Sequence, residues 1–328
     1  MSLELEDIEE LPPELTGALT FHLPLELAAL ELAGADPALR RARAERRLAE
    51  AYRVGLVDPP LYRWAVGHYR PVADRLIDDD PAVRRSALPD IESLAEGLAG
   101  AAFHGLIRLG YGLWRRRPAE VARGLAYLRS RRQVLATGSG PAGGPTGRPP
   151  LPEGDDLAGL TVFDLMNLAA GSEDREALRP GGTGPMTAAR LCSAATGLVA
   201  RNPSSFVSVH TVTGLHGLYE LHRATAGALD AHGALDDTPL APWWQAYTTA
   251  SMVAAVVVHR SAPEAVPAPV ARADTPAALL AAAVASGETH DVKLVLALTR
   301  LAEAGLVSEE DLLRIGAVKL AATECRAH

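Results

Sequence analysis

The chain predicts an all-α fold: a multi-helix bundle whose apolar helix faces surround a central His-lined pocket. Three observations carry this expectation. Apolar residues recur with a period close to 3.6 along almost the whole length. Alanine and leucine are abundant while aromatic residues make up 5% of the chain, a balance that favours helix. No run of alternating β-branched residues marks a sheet.

The first predicted helices cover 24–34, where a leucine-rich run follows Phe21-His22, and 38–54, which opens on Asp36-Pro37 as N-cap and first helical residue. Periodic segments at 60–76, 90–113 and 118–132 follow, and Asp80-Pro81 supplies another helix start. Beyond a long low-complexity stretch, helices are predicted at 158–169, 185–199, 204–229 and 240–258. Thr275-Pro276 then opens 275–286, and the chain ends in helices at 289–304 and 308–323. Segments 230–237 and 263–274, rich in Pro, Gly and Asp, read as loops. Glycines at 105, 110, 112, 214 and 217 would let helix backbones approach closely.

Residues 1–328 are read as a single helical domain, long enough to bury a substantial core. Residues 137–154 interrupt it as a flexible Gly/Pro-rich loop. That loop contains Gly138-x-Gly140-x-x-Gly143, but a helical, Arg-rich segment precedes it, and Pro141, Pro145, Pro149 and Pro150 block a following helix. A dinucleotide fingerprint needs a strand before it and a helix opening from it. NADPH therefore has no credible binding motif here, and the loop is expected to be mobile.

The net charge of −8 argues against a nucleic-acid partner. Two cysteines, Cys192 and Cys325, exclude a disulfide framework and a Cys-based zinc site. The acidic start lacks the basic and apolar regions of a secretion signal. The apolar stretch 246–258 is too short for a membrane span and contains Thr248, Thr249 and Ser251. A cytoplasmic protein without membrane partners is the expectation.

Histidine returns repeatedly in one apolar setting. Phe21-His22-Leu23, Phe103-His104-Gly105-Leu106 and Leu215-His216-Gly217-Leu218 share a template of large apolar residue, His, then leucines. His290 opens a further apolar run, and His210 lies among small and apolar residues. His68, His222, His232, His259 and His328 have polar, loop or terminal neighbours and read as structural or solvated. Burying unpaired imidazoles is unfavourable, and one shared metal ion would compensate several at once. On a helix, His210 and His216 are about 600° apart and face different ways. The internal template favours His216, while Thr213, one turn from His210, offers that ring a hydrogen-bonding partner. Tyr111 shares a face with His104 and is the candidate catalytic residue, positioned to orient substrate.

Of the 32 basic residues, 30 are Arg and only Lys293 and Lys319 are Lys. A retained lysine suggests chemistry that guanidinium cannot do, because a buried amine can lose its proton. Lys293 lies three residues after His290, on nearly the same face, continued by Leu294, Ala297 and Leu301. A neutral amine there can take up carbon dioxide and become a carbamate, an anionic oxygen ligand. Imidazoles with such a ligand suit non-haem iron and oxygen chemistry.

FHLPLELAALELAGA (21–35), FHGLIRLGYGLW (103–114), VHTVTGLHGL (209–218) and THDVKLVLALTR (289–300) resemble, in order, the recurring segments of the questin oxidase-like family. The resemblance spans residues 14 to about 305. It implies a helical oxygenase of secondary metabolism that opens or rearranges aromatic polyketide rings of the anthraquinone type. It also implies non-haem Fe(II) held by histidines and a carboxylated lysine. Carried over by motif, the ligands are His22, His104, His210, His290 and Lys293, so the family's His-x-Val-Thr pattern favours His210 over His216. The chain departs from the family at Phe21, where Asn is common. The expected partners are dioxygen and a small aromatic substrate, with Trp243, Trp244 and Tyr247 as candidate walls of the ring site. Two other readings stand beside this one: an iron-free, NADPH-dependent Baeyer–Villiger-type oxygenase, and a helical binding protein without chemistry.

Overall fold

A computed structural model describes residues 8, 10–16, 19–135, 166, 169–170, 185–260 and 273–327. The predicted loop 137–154, most of predicted helix 158–169 and most of loop 263–274 lie outside the described residues. In chain order the elements are β1 (Glu14–Leu15), β2 (Leu19–Thr20), α1 (Leu23–Leu32), α2 (Pro37–Val54), β3 (Leu56–Val57), α3 (Tyr62–Leu76), α4 (Pro81–Ser86) and α5 (Leu88–Ile91). A 3-10 turn (Glu92–Gly97) leads to α6 (His104–Trp114), α7 (Pro118–Ser130), α8 (Ala188–Arg201) and α9 (Phe206–Ala226). After a second short 3-10 turn come α10 (Ala241–Arg260), α11 (Pro276–Ser286), α12 (Thr289–Glu303) and α13 (Glu309–Ala327).

The all-α class stands. The helix starts read from Asp-Pro and Thr-Pro pairs form as the capping chemistry requires. Asp36, Asp80 and Thr275 each accept a hydrogen bond from a backbone N–H of the first turn, with proline just inside. No described helix is long and apolar enough to cross a membrane.

Two expectations are corrected. A small antiparallel sheet exists, in the order β2-β1-β3, pairing Glu14 with Thr20 and with Val57. Its strands are two residues long, too short to leave an alternation in the sequence. The helix predicted over 90–113 is broken: Ala101, Ala102 and Phe103 all have positive φ, at 49°, 52° and 66°. That run ends one helix path and lets α6 begin on His104 with a new direction. Left-handed backbone at three successive non-glycine residues is unfavourable by about 1 kcal/mol or more each, so the surrounding packing must hold it.

The core positions α6 between α7 and α9. Arg108 and Glu120, both buried, lock α6 to α7 through paired bonds of 2.9 and 3.1 Å. On the other side α6 meets α9 at Gly110 and Gly217. A Cβ on Gly110 would stand 2.5 Å from the Gly217 Cα, and one on Gly217 would stand 2.4 Å from the Leu106 carbonyl oxygen. Backbone therefore lies on backbone, and only glycine permits that separation. Trp243, Trp244 and Tyr247 of α10 are buried core, the Trp244 indole donating to His222 Nδ1 at 3.4 Å.

Candidate metal centre

Four imidazoles from four helices converge. His22 is the N-cap residue of α1, His104 the first residue of α6, His210 lies in the second turn of α9, and His290 is the second residue of α12. Three of the four thus sit at helix N-termini, where the backbone dipole opposes a positive ring. Ring centroids are 4.7 Å apart for His22 and His104, 4.4 Å for His104 and His210, 5.0 Å for His22 and His290, and 5.1 Å for His210 and His290. Nitrogens of His22, His210 and His290 lie within 4.8 Å of one another, and His104 Nε2 is 3.0 Å from His22 Nε2. Two nitrogens each about 2.1 Å from one ion and about 90° apart would be separated by about 3.0 Å.

Hydrogen bonding selects which nitrogen each ring presents. His104 Nδ1 donates to the Ala101 carbonyl, an acceptor placed by the left-handed run. Its Nε2 therefore carries the lone pair that meets His22 Nε2 at 3.0 Å. His290 Nδ1 donates to Glu288 Oε1 at 2.8 Å, while its Nε2 is buried without a partner. This is the carboxylate–imidazole pairing that fixes the tautomer of a metal-ligating histidine. Glu288 caps α12 as well, accepting from the His290 backbone N–H. Neither ring nitrogen of His210 has a hydrogen-bond partner.

Electrostatics keep the rings neutral. Burial pushes His104 down to about 3 and His290 to about 4, and Lys293 reinforces both shifts. Burial likewise holds His22 and His210 well below the ordinary imidazole value. The His290 hydrogen bond in turn holds Glu288 at about 2. Lys293 is fully buried, its Nζ has no hydrogen-bond partner, and burial lowers it to about 8 against the opposing pull of Glu26 and Glu288.

Sequence reasoning missed the groups that hold this arrangement. Buried Glu26 accepts from Thr289 Oγ1 at 2.7 Å and from Arg43 at 2.9 Å, pinning the start of α12 to α1 and α2. It lies one turn after His22, and that spacing was the available signal. A second chain runs outward from His104. Thr20 Oγ1 is 3.5 Å from His104 Nδ1 and 3.2 Å from the Tyr127 hydroxyl, which donates to Glu14 at 3.0 Å. Glu14 also accepts from Arg131. Its members lie on three elements far apart in sequence, so no local pattern announces them.

The structure separates the remaining candidates. His216 and Tyr111 meet each other, with centroids 5.8 Å apart, and His216 also meets Trp114 at 5.3 Å. Among the described residues neither joins the four-imidazole group. Glu220 Oε1 lies 3.7 Å from His216 Nε2 and accepts from Arg300 Nε at 2.7 Å. Burial raises Glu220, but His216 and Arg300 outweigh it and hold the carboxyl at about 2. The Thr213 hydroxyl turns back to the Val209 and His210 carbonyls at 3.1 and 3.4 Å and does not hold the His210 ring. Lys319, the other lysine, is buried in an ion pair with Asp291 at 2.9 Å.

A cavity of about 530 Å³ opens beside the centre, lined by Phe206, Val209, Glu288, His290, Lys319 and Arg326 among others. Trp243, Trp244 and Tyr247 are not among its walls. The donor set fits a divalent transition metal: nitrogens of His22, His210 and His290 gathered within 4.8 Å, several without any other partner, beside a buried amine that carbon dioxide can convert to an anionic carbamate. No protein-family model, no curated protein and no solved structure matches this chain.

Proposed function

We propose that this protein is a mononuclear non-haem iron oxygenase of the questin oxidase-like kind, acting in the cytoplasm on an aromatic polyketide ring. The observation that carries the reading is the convergence of His22, His104, His210 and His290 as neutral imidazoles, those of His210 and His290 with partnerless nitrogens, around buried Lys293. Unpaired polar atoms buried together are rare unless a ligand satisfies them.

Fe(II) in this position supplies the one-electron chemistry that dioxygen needs to react with a closed-shell organic ring. The protein's part is to hold that chemistry in place. Ala101 and Glu288 fix the tautomers of His104 and His290, and Glu26 fixes the approach of α1 to α12. Lys293 stands where its amine nitrogen can add to the carbon of carbon dioxide, releasing one proton and leaving a carbamate anion. The anion relieves the excess positive charge that imidazoles alone would leave. Phe206, edge-on to His210 at 5.8 Å, offers an apolar surface for a ring in the cavity. Tyr111 and His216 take no part in holding the ion in this reading.

Anaerobic Fe(II) titration of untagged protein tests it, followed by oxygen uptake with an anthraquinone-type ring. Binding near one equivalent, lost in a His22→Ala/His210→Ala variant that still folds, is the expected result. A wild-type chain that leaves Fe(II) unbound sinks the proposal.

A further inference from the structure

The cavity beside the imidazoles has paired charges at one end and, at the other, a guanidinium that no carboxylate among the described residues pairs with, and this difference selects a class of ligand. At its inner end lie His290, Glu288 and Lys319. The charges there are already matched, Glu288 bonded to His290 and Lys319 paired with buried Asp291. Arg326 lies seven residues further along α13, about 10 Å away. Its guanidinium makes two long contacts, to the Ser204 carbonyl at 3.3 Å and to Thr323 Oγ1 at 3.5 Å. No carboxylate among the described residues pairs with it. Arginines nearer the core, such as Arg43, Arg108, Arg131 and Arg300, are each held by Glu, whereas Arg326, exposed on the last turn of α13, is left to a ligand in the cavity. Between the two ends, Phe206 and Val209 supply an apolar wall, with Phe206 41% exposed.

We propose that this cavity binds an organic carboxylate of ring size, its carboxylate on Arg326 and its apolar ring against Phe206 and Val209, pointing toward His290. The inner charges already have partners, so the ligand's anion is directed to Arg326. The cavity volume lies within the range of pockets that enclose a molecule of two or three fused rings. A guanidinium with free donors is matched to a carboxylate by two parallel bonds. That such a ligand is also oxidised rests on the oxygenase reading; its binding stands without it.

Equilibrium dialysis with 2-naphthoate and its neutral counterpart 2-naphthamide tests the inference, using the full chain stripped of metal by chelation. Naphthoate is expected to bind about tenfold tighter than naphthamide. Arg326→Gln should erase that preference while leaving naphthamide unchanged, and Phe206→Ala should weaken both, with thermal melts confirming that each variant is folded. Equal binding of the two probes, no binding of either, or a preference that survives Arg326→Gln overturns it. Fe(II) stoichiometry on the same preparation separates the two readings. Carboxylate preference without iron binding removes the oxygenase and keeps the anion site, and the reverse removes the anion site alone.

Discussion

The α6–α9 helix pair carries a polar group on each side of the contact between Gly110 and Gly217. Toward the helix starts, His104 and His210 face one another at 4.4 Å; beyond the contact, Tyr111 and His216 do so at 5.8 Å. The local sequences are nearly the same, Phe-His-Gly-Leu at 103–106 and Leu-His-Gly-Leu at 215–218. What differs is what surrounds each pair. On one side α1 and α12 bring His22, His290 and Lys293, and the charged partners stand behind the rings. On the other, Glu220 and Arg300 come forward, and Arg300 also lies over the Trp114 ring at 5.0 Å. The second side has an anion and a cation already paired, although the Tyr111 hydroxyl and both ring nitrogens of His216 are buried without a hydrogen-bond partner. Both sides therefore hold partnerless nitrogens, but only the first gathers imidazoles from several helices within 4.8 Å of one another. A buried histidine becomes a ligand or a structural residue according to its tertiary neighbours.

The sharpest way to break this contrast is to remove imidazoles from each side. A His22→Ala/His210→Ala variant should lose more than about 100-fold in Fe(II) affinity, whereas His216→Ala should keep the wild-type value. Anaerobic calorimetry reads both, and equal losses would erase the distinction. The lysine comes next. Lys293→Arg should lower iron occupancy as severely as Lys293→Ala, because guanidinium can form no carbamate. Full iron content in the arginine variant, measured by elemental analysis, would make Lys293 a packing residue. Lys319→Arg is not a neutral control, since Lys319 is itself in a buried ion pair with Asp291.

The carboxylates sharpen the comparison further. Glu288→Gln should weaken iron binding by about 10- to 100-fold, since an amide is a poorer acceptor for His290 Nδ1–H. Glu220→Gln should leave iron binding intact and lower the melting temperature, because Arg300 and Arg223 lose their partner. The smallest effect is in pH. His104 and His290 titrate near 3 and 4 in the folded protein, below the ordinary value of about 6.5 in the unfolded chain. On acidification the unfolded chain therefore takes up protons first. Stability from each neutral ring is complete above about pH 6.5 and falls by about 1.4 kcal/mol per pH unit below it, toward the folded value. Urea unfolding of metal-free protein at pH 7, 6 and 5 should show this slope, and His104→Leu should make it shallower by one ring's share. An unchanged slope in that variant would mean the ring is charged when folded.

The sequence made much of this visible, for identifiable reasons. Helices announced themselves through apolar period and Pro-containing caps, both local properties. His22, His104 and His290 stood out because a polar residue among leucines is an anomaly on one helix face. His210 and His216 could not be told apart by local context, since rotation about α9 leaves both buried. The break at 101–103 was invisible because Ala, Ala and Phe carry no signal for left-handed backbone. Tyr127, Thr20 and Glu14 came together only through the two-residue strands and α7, a long-range event with no periodic trace.

That break has a consequence for how this protein can change over time. Replacing Ala101 or Ala102 with glycine would relax the positive φ angles and raise overall stability by up to about 1 kcal/mol each. The same replacement would free the carbonyl that holds His104 Nδ1, widening the range of directions its ring can take. Selection for heat tolerance and selection for a well-aimed imidazole thus pull in opposite directions on the same dihedral angles. A lineage under pressure only to stay folded would drift toward glycine here, and the residue at 102 would record which pressure had prevailed.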